Sequence, residues 1–398
     1  MSGRTAMVRP CTAAEVAKLV KEAGAGGDVV EVVGGGTKGG WGLPSGTDAV
    51  TLSTSGLDQT FGHASADQTA VVGAGMRLGE LQGRLSVKGQ WLAVDPPDPT
   101  GGATLGGVFS ADDAGPRRMR YGTMRDLVIG ATFVLADGTV AHTGGKVIKN
   151  VAGFDLAKLL CGSLGTLAVV TELVVRLHPL PEASRTLRCA APAGQVPELA
   201  FALARCPAEA SAVEWMDGEL YVRVEGGAAG LQKRVDQLAA TLGAMLEADG
   251  TGRRAVDPVS GRDETALWDA VASARRPSRP PLSCRVVTRP RQFSDFHHWA
   301  TVAADEAGAG LSVTSDPCIG VHDVRFTGPL DPALDALARL RRSLAGIGGT
   351  AVVRAVPRSV EGAVVWGPPP AAAAVMATVK RALDPGSTFA PGRFSPWW

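Results

Sequence analysis

The chain has 398 residues, 45% of them hydrophobic, which is enough apolar sequence to bury the cores of two or three domains. Its 40 basic and 39 acidic residues leave a net charge of +1, which excludes a broad electrostatic attraction to nucleic acid or anionic lipid. The sequence has neither a membrane-span-length apolar run nor a signal-peptide core, so we expect a cytoplasmic protein that could reach the inner face of the membrane only through partners.

The first 73 residues predict one helix followed by three short strands. Thr12 and Glu15 have the spacing of a capping box, and the apolar positions that begin at Val16 predict a helix over about 13–23. The strands are β-branched and lie between turn-forming residues, at about 29–33, 49–52 and 69–73.

A long passage of low periodicity comes next. Residues 77–88 predict a helix and 90–94 an extended segment, after which 94–122 are rich in Gly, Pro and Asp. Loops of this length inside a domain are usually functional, so we expect ligand contacts in it.

Beyond this passage, strands and helices alternate up to a first boundary. Two strands turn at Asp137-Gly138, a short helix covers 154–162 and a long strand covers 166–177. Two prolines within 178–184 then interrupt the pattern and predict a domain boundary.

The second half of the chain uses one pattern twice. Helix, strand, turn, strand and helix fit 195–245 and fit again at 291–345, with the Arg/Pro-rich residues 275–281 between the two copies. Such a repeat is typical of a ferredoxin-like α+β domain. A last helix is predicted at about 370–383.

Two glycine clusters raise the question of a nucleotide site. The first, Gly34-x-Gly36-x-x-Gly39, has the spacing of a nicotinamide dinucleotide fingerprint, but the helix breakers from Gly40 to Gly46 exclude the helix that such a site needs. We expect instead a loop whose backbone N–H groups wrap an anion.

The second cluster keeps a dinucleotide alternative open. Gly73-x-Gly75 lies between a predicted strand and a predicted helix, and Asp95 follows at the distance of a ribose-binding acid. The other interpretation is that these glycines only let the helix turn tightly against the strand.

Five segments carry a more specific signal when they are taken together. They are VVGGGTKGG (32–40), DPTGGATLGGVFS (98–110), GPRRMRYGTMRDLVIGATFVLADG (115–138), GGKVIKNVAGFDLAKLLCGSLGTLAVVTE (144–172) and LDPGSTFAPGR (383–393). In this order they resemble the FAD-binding flavoproteins related to vanillyl-alcohol oxidase, and among these most of all the E-type subunits of bacterial glycolate oxidases. The resemblance covers about residues 10–393.

The resemblance implies an α+β fold, in which a two-subdomain FAD-binding PCMH-type domain precedes a ferredoxin-like cap on the substrate side. The flavin domain would cover 1–181 and the cap 182–369. The C-terminal helix and tail, 370–398, would return to the flavin domain.

The resemblance also implies which residues contact FAD, with small residues where the pyrophosphate and the flat ring approach the backbone. The implied contacts are Gly34, Gly35, Gly36, Thr37, Lys38, Pro99, Thr100, Gly102, Ala103, Thr104, Gly106, Gly107, Lys149, Asn150, Gly153, Asp155, Gly162, Ser163, Gly165, Thr166 and Val169. Thr37 stands where relatives that attach FAD covalently often carry His, so non-covalent FAD is expected.

The sequence departs from the family pattern at two places. Asp112 and Asp113 put the side-chain flavin contacts of the third segment in doubt, and Phe154 replaces the usual Tyr of the fourth. Lys149 has two interpretations, a solvated loop lysine or a cation near the flavin.

No catalytic residue and no metal site can be assigned. Relatives that oxidise D-2-hydroxy acids directly often carry H-x-G-D-G-N-x-H in the cap, which supplies metal ligands and the base, and this sequence has no such run. The histidines are His63, His142, His178, His297, His298 and His322, and the cysteines are Cys11, Cys161, Cys189, Cys206, Cys284 and Cys318. Without C-x-x-C or iron–sulfur spacing, we expect reduced structural thiols.

The resemblance implies an FAD-bearing subunit of a glycolate oxidase, or glycolate dehydrogenase. Glycolate, a small 2-hydroxy acid, would be oxidised to glyoxylate, with electrons passed to a homologous FAD-containing D-type subunit and an iron–sulfur subunit. Two alternatives stay open: a stand-alone FAD-dependent hydroxy-acid dehydrogenase, and a non-catalytic scaffold subunit that carries FAD.

Overall fold

The computed structural model describes residues 7–45, 49–97, 101–145, 154–247, 255–276, 282–355, 360 and 362–398. The chain divides into two compact units. The first comprises Met1–Ala114, Gly122–Leu180 and Pro368–Trp398, and the second comprises Gly115–Tyr121 and Pro181–Gly367. Within the described ranges, no helix combines the length and the apolar character that crossing a membrane requires.

The described strands are β1 (Met7–Val8), β2 (Val30–Val33), β3 (Val50–Ser53), β4 (Phe61–Ala64), β5 (Thr69–Gly73), β6 (Gln90–Trp91), β7 (Val128–Val134), β8 (Val140–Gly144), β9 (Val169–Arg176), β10 (His178–Pro179), β11 (Ala183–Ala190), β12 (Ala212–Met216), β13 (Glu219–Gly226), β14 (Asp257–Val259), β15 (Leu282–Val287), β16 (Gly310–Asp316), β17 (Val321–Thr327) and β18 (Thr350–Ala355). The described α-helices are α1 (Ala13–Gly26), α2 (Leu78–Ser86), α3 (Leu105–Ala111), α4 (Arg118–Tyr121), α5 (Met124–Leu127), α6 (Leu156–Leu160), α7 (Val196–Arg205), α8 (Ala228–Glu247), α9 (Gly261–Arg275), α10 (Phe293–Ala307), α11 (Leu330–Ala345), α12 (Gly362–Trp366) and α13 (Ala373–Leu383).

The first unit has two main sheets, each with its own core. A parallel sheet with strand order β1-β3-β2 packs with α1 around residues such as Val16, Leu52 and Phe389. An antiparallel sheet with order β4-β5-β9-β7-β8 packs with α2 and α3 around residues such as Leu81 and Phe109. The unit therefore consists of two subdomains, each built around one of these sheets.

Helix α1 begins where the capping signal predicts. The hydroxyl of Thr12 accepts the backbone N–H of Glu15 at 3.2 Å, while the Glu15 carboxylate accepts the N–H of Cys11 at 2.7 Å. The helix runs beyond the predicted end near 23, because Gly27 takes a left-handed conformation and its N–H caps the carbonyls of Ala23 and Gly24.

The prediction of a long irregular passage over 94–122 was wrong in part, because it contains helix α3. The hydroxyl of Thr104 accepts the N–H of Gly107 and so caps the first turn of this helix. Gly106 packs so closely on Ala74 that a Cβ atom would lie 2.8 Å from the Ala74 side chain. These glycines lower helix propensity in the sequence but allow the helix to contact the neighbouring backbone.

The second unit contains one eight-stranded sheet with order β14-β11-β13-β12-β16-β17-β15-β18. The predicted repeat is confirmed, with α7-β12-β13-α8 as the first copy and α10-β16-β17-α11 as the second. The two copies join where β12 pairs antiparallel with β16, Trp215 opposite Ser315. The α+β class is therefore confirmed, whereas the roles of flavin domain and cap stay predictions.

Candidate functional site

A cavity opens in the first unit where the first glycine loop meets helix α3. Its empty space, including the part that is open to solvent, is about 760 Å³. Its wall consists of the loop 34–39 with the preceding strand β2, helix α3, the turn at 164–165, the start of β9 and Arg393. The loop is not helical, as the sequence predicts.

Gly34 and Gly35 bring the first glycine loop against residues 102–104. A Cβ atom on Gly35 would lie 1.8 Å from the carbonyl oxygen of Gly102, and one on Gly34 would lie 2.2 Å from the hydroxyl of Thr104. Both positions therefore require glycine for the loop to contact residues 102–104. Gly36 differs, because its φ is +71° and no atom lies within 4 Å of its Cβ position.

Lys38 places a cation on the wall of the cavity. Its ammonium lies 3.0 Å from a carboxylate oxygen of Asp113 and 3.3 Å from the hydroxyl of Thr37. The side chain of Lys38 is 12% exposed and that of Asp113 is 1% exposed, so the pair is largely shielded from water. Asp113, one of the two residues at which the sequence departs from the family pattern, is thus the counter-ion of Lys38.

Asp112 has a separate structural role. It caps helix α3 in a left-handed conformation, φ 44°, and its carboxylate accepts a hydrogen bond from the Cys161 thiol at 3.4 Å. Burial and the nearby Asp112 charge raise the pKa of Cys161 well above its usual range. Cys161 is accordingly held as a neutral thiol.

The C-terminal segment supplies a second charged pair to the wall. Arg393 lies 2.5 Å from a carboxylate oxygen of Glu31 and donates to the carbonyl of Trp41 at 2.8 Å. Sequence analysis did not assign either Arg393 or Glu31 to the site. The resemblance in LDPGSTFAPGR (383–393) was the available signal for the arginine.

A tight turn after helix α6 closes another side of the cavity. The N–H of Gly162 donates to the carbonyl of Phe109 at 3.1 Å, and the N–H of Leu164 donates to that of Ser110 at 2.7 Å. Leu164 and Gly165 both have positive φ and lie on the wall. Two hydrogen bonds to the end of α3 therefore fix the position of this turn.

The predicted FAD contacts fall into three groups. Those on the cavity wall are Gly34, Gly35, Gly36, Thr37, Lys38, Thr104, Gly106, Gly107 and Gly165. Described residues that are not on the wall are Gly102, Ala103, Asp155, Gly162, Ser163, Thr166 and Val169. Pro99, Thr100, Lys149, Asn150 and Gly153 lie outside the described residues.

Three of the predicted contacts that are not on the wall have visible structural roles. The Asp155 carboxylate caps α6 by accepting the N–H of Lys158 at 3.2 Å. The hydroxyl of Thr166 donates to the carbonyl of Ser163 at 2.8 Å. Val169 lies in the core of the parallel sheet, while its neighbours in sequence line the cavity.

Sequence analysis missed the wall residues that come from strands and from the ends of helices. They are Glu31, Val32, Val33, Thr54, Ser110, Ala111, Leu164 and Arg393. Several belong to segments that were quoted for the resemblance, but no local pattern says which side of a strand faces a ligand.

The alternative dinucleotide cluster is packed against protein. A Cβ atom on Gly73 would lie 2.2 Å from the carbonyl oxygen of Leu57, and one on Gly75 would lie 2.0 Å from that of Thr54. These glycines allow strand β5 and the turn after it to approach the 54–57 backbone. The geometry supports the tight-turn interpretation of this cluster.

A buried charged cluster lies on the sheet of the second unit. Arg275 bridges Glu214 at 2.6 Å and Asp323 at 3.0 Å, and Arg285 pairs with Asp323 at 3.0 Å. Burial raises the pKa of Glu214 to about 8 and that of Asp316, on the adjacent strand, to about 7. Because these side chains are fully buried, we assign the cluster to the core of the unit.

Within the described ranges, the histidines do not form a metal centre. His322 is fully buried between the hydroxyls of Thr288, at 2.9 Å, and Ser315, at 2.6 Å. Burial lowers its pKa to about 3, so the ring is neutral. Among the described residues, no group of three His, Cys, Asp or Glu side chains could hold a metal ion.

Residues 5–144 match the model of the family described as FAD binding domain. The matched range includes the glycine loop, Thr54 and helix α3, which together make most of the cavity wall. The remaining wall residues, from 164 to 170 and at 393, lie beyond it. Most of the cavity wall therefore lies in the part of the chain that resembles known FAD-binding domains.

Curated relatives resemble parts of the chain. Glycolate oxidase subunit GlcE of Escherichia coli (strain K12) is 36% identical over 153 residues, which are 38% of this chain and 44% of that protein. D-lactate dehydrogenase of Archaeoglobus fulgidus is 36% identical over 173 residues, 44% of this chain and 38% of that protein. Glycolate oxidase subunit GlcD of Bacillus subtilis (strain 168) is 49% identical over 94 residues, 23% of this chain and 20% of that protein. The chain therefore spans less than half the length of each of these relatives.

The fold as a whole resembles that of alkyldihydroxyacetonephosphate synthase. A solved structure of that protein superposes with a TM-score of 0.72 over 97% of this chain and 76% of the other, at 15% sequence identity. At this identity the likeness concerns the fold alone. The partial sequence matches, by contrast, are to glycolate oxidase subunits of both the E and D types and to D-lactate dehydrogenases. They do not distinguish among these three kinds of protein.

Proposed function

We propose that this chain binds FAD non-covalently in the cavity of its first unit and takes part in the oxidation of glycolate or a related 2-hydroxy acid. The observation that carries the proposal is the glycine-lined cavity, most of whose wall lies in the range that matches FAD-binding domains. When bound, FAD supplies an acceptor for the two electrons that leave the α-carbon of such a substrate.

The wall residues suit a phosphate-bearing ligand. Gly36 leaves open space at its Cβ position, and Thr37 and Lys38 offer a hydroxyl and an ammonium group beside the loop backbone. Gly106 and Gly107 contribute the first turn of α3 to the wall. These residues would hold the dinucleotide through backbone N–H groups and short polar contacts.

The same wall supports non-covalent attachment. None of the described wall residues is a histidine, cysteine or tyrosine, the residue types that could form a covalent bond to the flavin ring. Thr37 occupies the loop position that suggested this expectation from the sequence.

The similarity to glycolate oxidase subunits supports a role within a complex. In this proposal electrons pass to a homologous FAD-containing subunit of the D type and to an iron–sulfur subunit. The similarity to D-lactate dehydrogenases favours a second candidate, a stand-alone FAD-dependent hydroxy-acid dehydrogenase. A scaffold subunit with a non-reacting FAD is the third.

The cofactor is tested on the purified chain. We expect a yellow protein whose visible spectrum is that of a flavin, and release of FAD to the supernatant on acid precipitation. Flavin that stays on the protein pellet would contradict non-covalent binding. A colourless protein that is stabilised by NAD and not by FAD would contradict the site itself.

Anaerobic stopped-flow separates the three functions. Slow or absent bleaching of the flavin by glycolate in the isolated chain, with fast bleaching after D-type and iron–sulfur subunits are added, is the expected result. Fast, saturable bleaching by glycolate or D-lactate in the isolated chain would identify the stand-alone enzyme. A flavin that is not reduced in either preparation would identify the scaffold.

A further inference from the structure

The cations on the described cavity wall are both paired with carboxylates of the chain. Lys38 lies 3.0 Å from Asp113, and Arg393 lies 2.5 Å from Glu31. The other described wall residues are uncharged. The two pairs together therefore have no net formal charge, although the proposed ligand has a negatively charged pyrophosphate.

Asp113 differs from Glu31 in its burial. The Asp113 side chain is 1% exposed, whereas that of Glu31 is 25% exposed. A shielded carboxylate is screened less by water and salt, so its charge acts more strongly on its surroundings. An anion that approaches Lys38 must therefore approach the Asp113 charge as well.

We infer that Asp113 sets the charge of the FAD site: by compensating Lys38, it limits the electrostatic attraction for the pyrophosphate and leaves recognition to the loop backbone and the shape of the cavity. The inference rests on the proposed function, since it concerns the same site. It assigns Asp113 the role of a positioning and specificity-determining residue that acts through Lys38.

The test measures the affinity of the flavin-free chain for FAD by calorimetry at several salt concentrations. The wild-type dissociation constant should change little with salt, because the paired wall charges cancel. Asp113→Asn should bind FAD about tenfold more tightly at low salt and lose this gain as salt screens the uncompensated Lys38. Circular dichroism and thermal unfolding check that the variant is folded.

The double variant Lys38→Gln/Asp113→Asn removes both charges and provides a second measurement. Because Asp113 is proposed to act through Lys38, Asp113→Asn should tighten FAD binding only while Lys38 is present, so the double variant should bind FAD with the same affinity and salt dependence as Lys38→Gln alone. Glu80→Gln is the matched control, since it removes a carboxylate from an exposed pair with Arg84 in the same unit, away from the wall. We expect it to leave affinity and salt dependence unchanged.

The outcomes distinguish this inference from the proposed function. A wild-type chain that does not bind FAD would overturn the proposed function. If the wild type binds FAD and Asp113→Asn binds it equally or less tightly, the inference fails while the proposed function stands. If the double variant binds FAD about tenfold more tightly than Lys38→Gln alone, the inference also fails, because Asp113 would then act on the ligand without Lys38.

Discussion

Single glycines of the first loop differ in what surrounds them, and this difference separates their roles. A Cβ atom on Gly35 would overlap the carbonyl oxygen of Gly102, whereas Gly40 has no atom within 4 Å of its Cβ position and no positive φ. The space beside Gly35 is thus already filled by the protein. Its tolerance to substitution is limited before any ligand binds.

We expect Gly35→Ala to lower the free energy of unfolding of the flavin-free chain by about 1–3 kcal/mol, because the loop and the 102–104 backbone must move apart. FAD affinity should fall as well, since the same loop forms the cavity wall. Gly40→Ala is the control and should change neither quantity. Urea unfolding and calorimetric FAD titration measure them, and equal unfolding curves for Gly35→Ala and the wild type would contradict the close contact.

His322 makes the stability of the chain depend on pH. Burial holds its pKa near 3, while the unfolded chain has an ordinary histidine, so the unfolded state takes up the proton first as the pH falls. The free energy of unfolding is therefore unaffected by this ring above about pH 6.5. It falls progressively as the pH decreases from about 6.5 towards 3.

Replacement of this side chain should flatten the profile. Between pH 7 and pH 4.5, we expect His322→Gln to lose about 2–3 kcal/mol less stability than the wild type does. His298→Gln, at an exposed position of the same unit, is the control and should follow the wild type. Thermal unfolding at the two pH values decides the matter, and parallel profiles for His322→Gln and wild type would show that the ring does not titrate as its burial requires.

At the scale of elements, a buried lysine fastens the C-terminal helix to the segment that precedes strand β9 in the first unit. Lys380 of α13 donates to the carbonyl of Thr166 at 2.8 Å and to that of Phe389 at 2.9 Å, and it pairs with Asp384. The Asp384 carboxylate also accepts the N–H groups of Thr388 and Phe389. One ammonium group thus joins the start of β9, the end of α13 and the segment that leads to the cavity wall.

Lys380→Met should remove this junction and leave Asp384 without its cation. We expect a loss of about 3–5 kcal/mol in unfolding free energy, as is typical when one partner of a buried ion pair is removed. Arg381→Met, on the same helix but exposed, is the control and should cost less than ~0.5 kcal/mol. Urea unfolding measures both, and limited proteolysis should cleave the C-terminal segment of Lys380→Met faster; equal stabilities of the two variants would contradict the junction.

At the scale of the whole molecule, the proposed cofactor site and the eight-stranded sheet belong to different units. All described wall residues belong to the first unit, whereas the buried cluster around Arg275 belongs to the second. FAD at 100 times its dissociation constant stabilises a binding-competent state by about 2.7 kcal/mol. We expect the backbone of the cavity wall to be stabilised more strongly than the rest of the chain.

Hydrogen exchange with and without FAD tests that expectation. Amides of 31–39 and of helix α3 should exchange more slowly when FAD is present, because backbone N–H groups of the wall contact the ligand. Helix α11, which contributes no wall residue, is the internal reference. Protection that is larger in α11 than in these two segments would place the bound FAD elsewhere.

Local signals in the sequence determined the regular elements, because a cap, a turn or a periodicity depends on residues a few positions apart. The capping residue Thr12, the Asp137-Gly138 turn and the repeat of helix, strand, strand and helix are found where the sequence predicts them. Helix α3 escaped prediction because the glycines that let it pack on Ala74 also weaken its local signal.

The cavity was decided by the tertiary structure. The sequence indicated the glycine loop, but only the fold brings Gly35 against Gly102, Lys38 against Asp113, and Arg393 against Glu31. The last pair is separated by 362 positions in the chain. Such contacts depend on how two sheets and the C-terminal helix bury their apolar faces, which no window of neighbouring residues specifies.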